Sequence, residues 1–475
     1  MRYFAKLLDN LYLNRKVVVS VIFVVAFLIV HVLKIFLYHN FLGLVDVSFK
    51  TFVKYFTLVL GVEIILLFLF YRYKWLFVIW YFLGTIWILG NMSYYLYFGQ
   101  YLYVSNIIAS FFEGAKALNT LEVILNKYLL VAFVDLPFFV GLIFKGVYSQ
   151  VYNLLYSRLI RIKVVVIVLV LVVYEGIALL EGRSLLNFLF SKEMRVYSNN
   201  KDSIFIRYGT VVGSFSSLVF FLNEKEFFEK NNLYEKNRFV FEGKSKRYNF
   251  VIIQVESLDA TVVNTKYKGL YVMPFLSKLS KEGIYFEKVV SYHFGGATSD
   301  AEFSVITSRY PLENYPAIKI YYPDINSFVR VFVSNGYTTK VFHNNSGNYF
   351  GRDKFFKVVG FGEFFDLHRM GLKEYVWGAK DEDVFNFVKS MITNEKTNFL
   401  YYVITMSSHG PFHIIPTYYT NKHFDSIKNE MLRNYFISMN YVDRVIEDFV
   451  LFCKKYLKDT VILIFGDHSS SRWVI

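Results

Sequence analysis

Cysteine is nearly missing from this chain, in which Cys453 is the only one among 475 residues. A single cysteine cannot form an intramolecular disulfide, so a fold that depends on a disulfide framework is excluded. Any domain outside the cell must therefore be stabilised by its own hydrophobic core. Internal repeats and long low-complexity runs are missing too, so the sequence lacks the pattern of a repeat protein.

Charged side chains are also scarce. They make up 19% of the residues, whereas 55% are hydrophobic and 20% are aromatic. This composition is too apolar for an ordinary soluble protein. The apolar residues are concentrated before residue 182, in several runs that reach the ~20 residues needed to cross a bilayer. We predict five membrane spans, at residues 17–38, 52–71, 75–98, 128–147 and 164–181.

Basic residues lie mainly on one side of these spans. Four precede the first span, two lie between the second and third, and four lie at the end of the fourth or between it and the fifth: Arg2, Lys6, Arg15, Lys16, Arg72, Lys74, Lys145, Arg158, Arg161 and Lys163. The positive-inside rule then places the N-terminus in the cytoplasm and everything after residue 181 outside. The first span lacks a small-residue cleavage site, which indicates an anchor and not a removable signal.

The net charge of +14 suits a protein that works beside anionic lipid or an anionic polymer. Nucleic acid is a poor alternative, because the basic residues are scattered and the domain after the spans faces outward. Residues 182–247 combine short apolar runs with a charged stretch, NEKEFFEKNNLYEKNR. We expect amphipathic helices on the membrane face there, followed by a polar linker.

From residue 248 to residue 475 the pattern changes to strands alternating with helices. Apolar, β-branched runs occur at NFVIIQVES, YTTKVFHN, NFLYYVITM and TVILIFGDH, and helical segments are predicted near 273–282, 326–335, 381–393 and 427–457. This alternation predicts an α/β domain with a largely parallel, buried sheet. The fold class is thus a multi-pass α-helical membrane domain followed by an α/β domain.

Polar side chains follow the predicted strands at the points where ligands bind in such sheets. The four runs lead to Glu256, to His343, to His409 and to the pair Asp467 and His468. If the strands are neighbours, these side chains gather at one edge. Each residue taken alone has a plainer interpretation, since an Asp-His pair after a strand is commonly a turn and single histidines are commonly ordinary hydrogen-bonded residues.

The stretch FGGATSDAEF, residues 294–303, presents a hydroxyl after two glycines and an alanine. Ser299 and Glu302 have the spacing of a capping box, which predicts a helix with Ser299 as its N-cap. Thr298 would then lie just outside a helix N-terminus, where an anion such as phosphate is favoured. The alternative is a Thr/Ser-rich turn that merely starts a helix.

These residues together suggest a chemistry. Glu256, Asp467 and His468 supply carboxylate and imidazole ligands for a divalent cation, and Thr298 could be a fourth ligand. Coordination to a metal is one way to activate a weak hydroxyl nucleophile. His409 could act as a general acid for a leaving alkoxide, or it could bind phosphate oxygens. Arg352 could clamp a phosphate, or form a surface ion pair with Asp353 or another neighbour.

The motifs VESLDA, GGATSDAEF, FHNNSGNYFGRDKFF, WGAKDEDVF, SSHGPF and FGDH carry a resemblance to a known family. Residues 248–468 resemble the extracytoplasmic domain of lipoteichoic acid synthases and related phosphoglycerol transferases, which belong to the sulfatase and alkaline phosphatase superfamily. A five-span anchor in front of a sulfatase-like domain is similar to the architecture of that family.

The resemblance implies that Glu256, Thr298, Asp467 and His468 bind manganese or a similar divalent ion, with magnesium and zinc as alternatives. Thr298 would be the nucleophile. The positions that hold the glycerol phosphate group correspond to three residues of this chain, His343, Arg352 and His409.

Three departures from the family pattern stand out. Phe350 occupies a position where the family often has a tryptophan against the glycerol, and Ala297 replaces a lysine that precedes the nucleophile in some members. The chain ends seven residues after His468, whereas members of the family continue with further strands and helices. We therefore expect either a truncated sequence or a protein that lacks part of the sheet.

The leading hypothesis is an enzyme of the cell membrane that transfers glycerol phosphate from phosphatidylglycerol, or a related anionic lipid, through a phospho-threonine at Thr298. The acceptor would be a polyglycerolphosphate chain or a periplasmic glucan. The alternatives are a phosphoethanolamine transferase, a sulfatase-like hydrolase, and a non-enzymatic transporter or sensor. A sulfatase would need a cysteine or serine for conversion to formylglycine, and phosphoethanolamine transferases usually carry disulfides.

Ionisable residues inside the predicted spans keep the transporter or sensor alternative open. Glu63, Asp135 and Glu175 lie within spans, and His31 and Lys34 lie in the first. Such residues are candidates for a function by default. The alternative is that they pair with one another inside the helix bundle.

Overall fold

We analysed a computed structural model of the chain. It describes residues 15–43, 74–98, 101–104, 107, 127–144, 172, 247–291, 297–311, 316, 318 and 325–470. The chain divides into two compact units. Of the described residues, those numbered up to 104 and from 127 to 172 belong to the first unit, and residue 107 and those from 247 onward belong to the second. Each unit has its own hydrophobic clusters, so each is described by itself.

The first unit is built of helices. Its elements are α1 (Arg15–Phe41), α2 (Lys74–Phe98), a 3₁₀ helix (Lys127–Phe133) and α3 (Leu136–Phe144). Within the described ranges, one helix, Trp75–Tyr95, is long and apolar enough to cross a bilayer, and shorter apolar helices occupy Val25–Phe41 and Leu129–Gly141. Two predicted spans, 17–38 and 75–98, fall on α1 and α2. The spans predicted at 52–71 and 164–181 lie outside the described residues, and the five-span count stays a prediction.

The span predicted at 128–147 contains a break, since the 3₁₀ helix ends at Phe133 and α3 begins at Leu136. Asp135, in the turn between them, is fully buried and accepts hydrogen bonds from Lys34 Nζ at 3.0 Å and Tyr81 Oη at 2.7 Å. His31 Nδ1 contacts the other carboxylate oxygen. Pairing inside the bundle is therefore the observed state of Asp135. Glu63 and Glu175 lie outside the described residues.

The second unit contains a five-stranded parallel sheet with the order β5-β4-β6-β1-β7. A small antiparallel hairpin, β2 with β3, accompanies it. The elements in chain order are β1 (Asn249–Val255), α4 (Ala260–Val263), β2 (Lys266–Tyr267), β3 (Leu270–Tyr271), α5 (Pro274–Glu282), α6 (Thr298–Thr307), α7 (Phe328–Ser334), β4 (Thr338–His343), α8 (Arg352–Val358), β5 (Glu363–Phe365), α9 (Asp381–Asn394), β6 (Phe399–Ile404), α10 (Glu430–Tyr456) and β7 (Thr460–Gly466).

Helices cover both faces of this sheet, and β6 shows why. Every residue of β6 is buried, and successive side chains point to opposite faces. Phe399, Tyr401 and Val403 belong to a core that includes α9 and α10, whereas Leu400 and Tyr402 belong to a second core with α6, α7 and α8. The sequence of a strand buried on both faces is a continuous apolar run, and FLYYVI of β6 is such a run.

The predicted α/β pattern is confirmed for four strands and four helices. The runs quoted for the strands become β1, β4, β6 and β7, and the helical segments become α5, α7, α9 and α10. Five short elements were not predicted, α4, β2, β3, β5 and α8. β5 has only three residues and pairs along one side with β4, so its sequence is too short to show a period.

Asp443 is a buried carboxylate that stabilises this fold from α10. It accepts hydrogen bonds from the backbone N–H groups of Phe275 and Leu276 in the first turn of α5, both at 2.8 Å. Burial raises the pKa of Asp443 to about 6. We predict that Asp443→Ala lowers the free energy of unfolding by about 1–3 kcal/mol, because it leaves buried donors unsatisfied. Thermal unfolding of the purified chain measures the loss.

Asp448→Ala is the matched control on the same helix. Its carboxylate is largely exposed and pairs with Lys389, so its loss should change stability by less than about 0.5 kcal/mol. Equal destabilisation by the two substitutions would contradict the capping role of Asp443.

Candidate active site

The carboxyl ends of four strands meet at one edge of the sheet. Parallel pairing aligns Val255 of β1 with Gly466 of β7, and Gln254 of β1 with Ile404 of β6. The same Ile404 is aligned with His343 of β4. Residues that follow these positions are therefore side by side in space, although they lie far apart in the chain.

Two carboxylates and an imidazole form a compact cluster at this edge. Glu256, Asp467 and His468 each offer one ligand atom, and these atoms lie within 4.8 Å of one another. His468 Nε2 lies 3.1 Å from Glu256 Oε1. The hydroxyl of Thr298 donates to Glu256 Oε2 at 3.0 Å and lies 3.3 Å from His468 Nε2. The structure thus brings together the four residues predicted as metal ligands.

The backbone around the cluster is shaped to hold Asp467. Its Oδ1 accepts hydrogen bonds from the N–H groups of Ser257 at 2.8 Å and His468 at 2.7 Å. Ser257 has φ 55, in the left-handed region that costs a non-glycine residue free energy. A Cβ atom on Gly466 would lie 2.2 Å from the carbonyl oxygen of Leu258, so only glycine allows β7 to end this close to the turn after β1.

Thr298 is the first residue of α6, and the N-cap is Ala297 with φ 43 and no side-chain capping bond. The prediction that Ser299 caps this helix in a capping box with Glu302 was wrong. Glu302 does not fold back onto the helix start, because its carboxylate forms an ion pair with Arg352. Thr298 nevertheless lies at a helix N-terminus, where an anion is favoured.

Charges in the cluster perturb one another strongly. Burial would raise the pKa of Glu256, but the positive charge of His468 holds it well below its usual range. Burial raises the pKa of Asp467, and the negative charge of Glu256 raises it further. Burial alone would lower the pKa of His468, but Asp467 and Glu256 together raise it to about 10. The cluster therefore attracts positive charge, in the form of protons or of a cation.

The donor set fits a divalent ion. Carboxylate oxygen, imidazole nitrogen and hydroxyl oxygen suit cations from magnesium and manganese to zinc. Asp467 Oδ2 is buried and accepts no hydrogen bond from the described residues. An orphaned buried oxygen of this kind is unfavourable unless another partner binds it.

The residues expected to hold phosphate lie around this cluster. His343 is 1% exposed, and neither ring nitrogen has a hydrogen-bond partner in the described part of the chain. Arg352 donates from Nε to Glu302 Oε1 at 2.7 Å, so it does form an ion pair, but the partner is Glu302 and not Asp353, and the pair is buried and not at the surface. Phe350 has φ 55, and its ring centre lies 5.5 Å from the guanidinium carbon of Arg352.

His409 follows β6. Its Nδ1 lies 2.6 Å from the carbonyl oxygen of Gly410, an acceptor, so Nδ1 carries a proton and Nε2 of the neutral ring carries a lone pair. Burial lowers the pKa of His409, which favours the neutral form. A neutral imidazole with its lone pair on Nε2 can accept a proton from a hydroxyl.

Comparison with known proteins agrees with this geometry. Residues 248–472 match the sulfatase family. Over 257 residues the chain is 30% identical to lipoteichoic acid synthase 2 of Bacillus subtilis, which covers 52% of this chain and 39% of that protein. Over 236 residues it is 28% identical to lipoteichoic acid synthase of Staphylococcus aureus strain USA300, which covers 48% of this chain and 36% of that protein.

The chain spans about two fifths of the length of these curated relatives. A solved structure, the integral membrane protein lipooligosaccharide phosphoethanolamine transferase A of Neisseria meningitidis, is 15% identical with a TM-score of 0.55. The likeness covers 94% of this chain and 82% of that one. At this identity the likeness concerns the fold alone.

Two further residues of the second unit lie at the site but were not predicted. Trp377 packs edge-on against His409, with ring centres 4.2 Å apart. Asp381 accepts the N–H groups of Met406 and Ser407, at 2.8 and 3.0 Å, and thereby holds the segment that leads from β6 to His409. The motif WGAKDEDVF contains both residues, so the motif was the available signal, but their roles depend on contacts across the fold.

We predict that Mn²⁺ raises the unfolding temperature of the purified chain, because an ion that binds only the folded state stabilises it by mass action. Asp467→Asn should abolish most of this rise, since it removes a ligand charge. Binding should also tighten as pH rises toward 10, because a metal replaces the proton that His468 otherwise keeps. Thermal unfolding with and without Mn²⁺, at several pH values, measures both effects.

Asp448→Asn serves as the control, because its carboxylate is exposed on α10 and pairs with Lys389, outside the cluster. An identical Mn²⁺ response in the Asp467 and Asp448 variants would rule out the cluster as the binding site.

Proposed function

We propose that this protein transfers glycerol phosphate from phosphatidylglycerol, or a related anionic lipid, to a hydroxyl of a cell-envelope acceptor. The acceptor would be a polyglycerolphosphate chain or a glycan. The observation that carries the proposal is the position of Thr298. Its hydroxyl lies at the start of α6 and contacts both Glu256 and His468 within a cluster able to bind a cation.

Glu256, Asp467 and His468 would hold a divalent ion, with manganese as the first candidate and magnesium or zinc as alternatives. Bound there, the ion would favour the ionised form of the Thr298 hydroxyl and offset the negative charge of the phosphate. The side chains of the protein carry out the proton transfers and bind the phosphoglycerol group.

In the first half of the reaction, neutral His409 takes the proton of the Thr298 hydroxyl, Thr298 Oγ1 forms a bond to phosphorus, and the bond from phosphorus to the diacylglycerol oxygen breaks. That oxygen takes the proton from His409 and leaves as diacylglycerol. In the second half, neutral His409 takes the proton of the acceptor hydroxyl, whose oxygen bonds to phosphorus. The bond to Thr298 breaks, Thr298 Oγ1 takes the proton from His409, and the starting charges are restored.

Three side chains would bind the phosphoglycerol group. Arg352 offers the terminal nitrogens of its guanidinium to phosphate oxygens, the geometry in which arginine binds phosphate. His343, which is buried and has no hydrogen-bond partner among the described residues, could bind a phosphate or glycerol oxygen. The aromatic ring of Phe350, beside Arg352, would contact the glycerol carbons in the place where relatives often have a tryptophan.

A lipid donor requires access to a bilayer. We propose a multi-pass protein of the cell membrane with a cytoplasmic N-terminus and an extracytoplasmic sulfatase-family domain. The apolar helix Trp75–Tyr95 and the similarity to lipoteichoic acid synthases support this location. The +14 net charge suits an anionic lipid donor and an anionic polymer acceptor.

A sulfatase activity is disfavoured, because a threonine occupies the nucleophile position and the one cysteine, Cys453, is buried in α10. Phosphoethanolamine transfer uses the same chemistry on a different head group, so it is the alternative to be tested.

The decisive experiment uses the detergent-purified full chain, Mn²⁺ and labelled phosphatidylglycerol. We expect released diacylglycerol and an increase in protein mass equal to one phosphoglycerol group, located at Thr298 by peptide mass spectrometry. Thr298→Ala should abolish the adduct and reduce diacylglycerol release by at least 10³-fold, since no nucleophile remains. Thr307→Ala, at the other end of α6, controls for general effects on the helix.

Phosphatidylethanolamine is offered in parallel. An adduct of phosphoethanolamine mass, and none of phosphoglycerol mass, would assign the other head group. A folded, Mn²⁺-responsive protein that forms neither adduct would contradict the proposal.

A further inference from the structure

Glu302 is a charged residue in the interior of the second unit, one helical turn after Thr298 on α6. Its side chain is fully buried, and its Oε1 accepts a hydrogen bond from Arg352 Nε at 2.7 Å. The arginine side chain is 4% exposed. The other carboxylate oxygen of Glu302 accepts no hydrogen bond from the described residues.

This ion pair joins two helices that start at the site. α6 begins with Thr298, and α8 begins with Arg352. The position of the arginine relative to the threonine is therefore set by one short contact between the second turn of α6 and the first residue of α8.

The contact also sets the direction of the guanidinium. Glu302 uses Nε, which leaves the N–H groups of the two terminal nitrogens for other partners. The rings of Tyr349 and Phe350 lie on the same group, with their centres 5.9 and 5.5 Å from its carbon. The two ring centres are 4.8 Å apart, so both rings lie on one side of the guanidinium. A guanidinium held by a carboxylate at Nε and by two rings on one side has a restricted direction for its remaining N–H groups.

Stability gives a weak reason for such a pair. Taking two charges out of water is costly, and hydrophobic replacements of buried ion pairs are often as stable or more stable. A buried pair is better explained where the geometry of one partner matters. Here that partner is the residue placed to bind phosphate.

We propose that Glu302 is a positioning residue, which holds Arg352 in the orientation that receives the phosphoryl group beside Thr298. This inference rests on the proposed function, since it needs Arg352 to bind the phosphate of the substrate. Glu302 itself touches neither the substrate phosphate nor the cation; it acts through the arginine.

The test is a double-mutant cycle on the full chain in detergent with Mn²⁺. The probe is soluble glycerol 1-phosphate, whose dissociation constant is measured by calorimetry for wild type, Glu302→Gln, Arg352→Ala and the double variant. We expect each single substitution to weaken binding by roughly 10- to 100-fold, as misplaced phosphate ligands do. When Arg352 is already replaced by alanine, Glu302→Gln should change the affinity by less than about twofold, because Glu302 no longer has an arginine to orient.

A merely structural role of Glu302 would leave the two effects independent. Multiplying effects in the double variant, or wild-type affinity in Glu302→Gln, would overturn the inference and leave the proposed function standing. Wild-type affinity in Arg352→Ala would overturn the assignment of Arg352 as the phosphate ligand, and the inference with it.

Two further variants keep the result interpretable. Glu363→Gln removes a carboxylate from an ion pair at the surface, with Arg369, where both side chains are more than two fifths exposed, and should leave the affinity unchanged. Glu302→Asp keeps the charge but shortens the side chain by one methylene. If Glu302→Gln unfolds, the same cycle is run with Glu302→Asp, for which the same coupling to Arg352→Ala is expected.

Discussion

Parallel pairing of β1 with β6 and β7 is the interaction on which the rest of the site depends. Val255 and Gly466 are aligned in this pairing, so Glu256 and Asp467, which follow them, must lie side by side. Successive side chains of a strand point to opposite faces of the sheet. If the register of β1 shifted by one residue, the side chains that now face one core would face the other. The two cores that enclose the sheet therefore hold the site in register as well as the fold.

Two buried carboxylates this close repel each other, and the domain compensates with positive charge. His468 supplies part of it, and the backbone N–H groups of Ser257 and His468 stabilise Asp467. A divalent cation would supply more. The same principle applies to Arg352. Its positive charge forms an ion pair with Glu302, and this pair holds the start of α8 against α6. Charge balance thus links the nucleophile, the cation cluster and the phosphate ligand.

Sequence patterns were sufficient where the signal was local and periodic. The four long strands and four of the helices follow from apolar periodicity, and the polar residues at strand ends follow from the rule that parallel strands end at one edge. The pattern failed for β5 and α8, which are short and depend on their neighbours. It also failed for Glu302, whose spacing from Ser299 matches a capping box but whose charge is attracted to Arg352, 50 positions away.

The sequence by itself determined the class of the domain, the apolar character of the first 181 residues, and the list of residues able to bind a cation, because these depend on residue type and period. Only the tertiary structure decided which of those residues meet, that Asp135 lies against Lys34 and Tyr81, and that Trp377 lies against His409. Such contacts join positions from different elements. Their geometry is set by strand register and helix packing, which no single stretch of sequence contains.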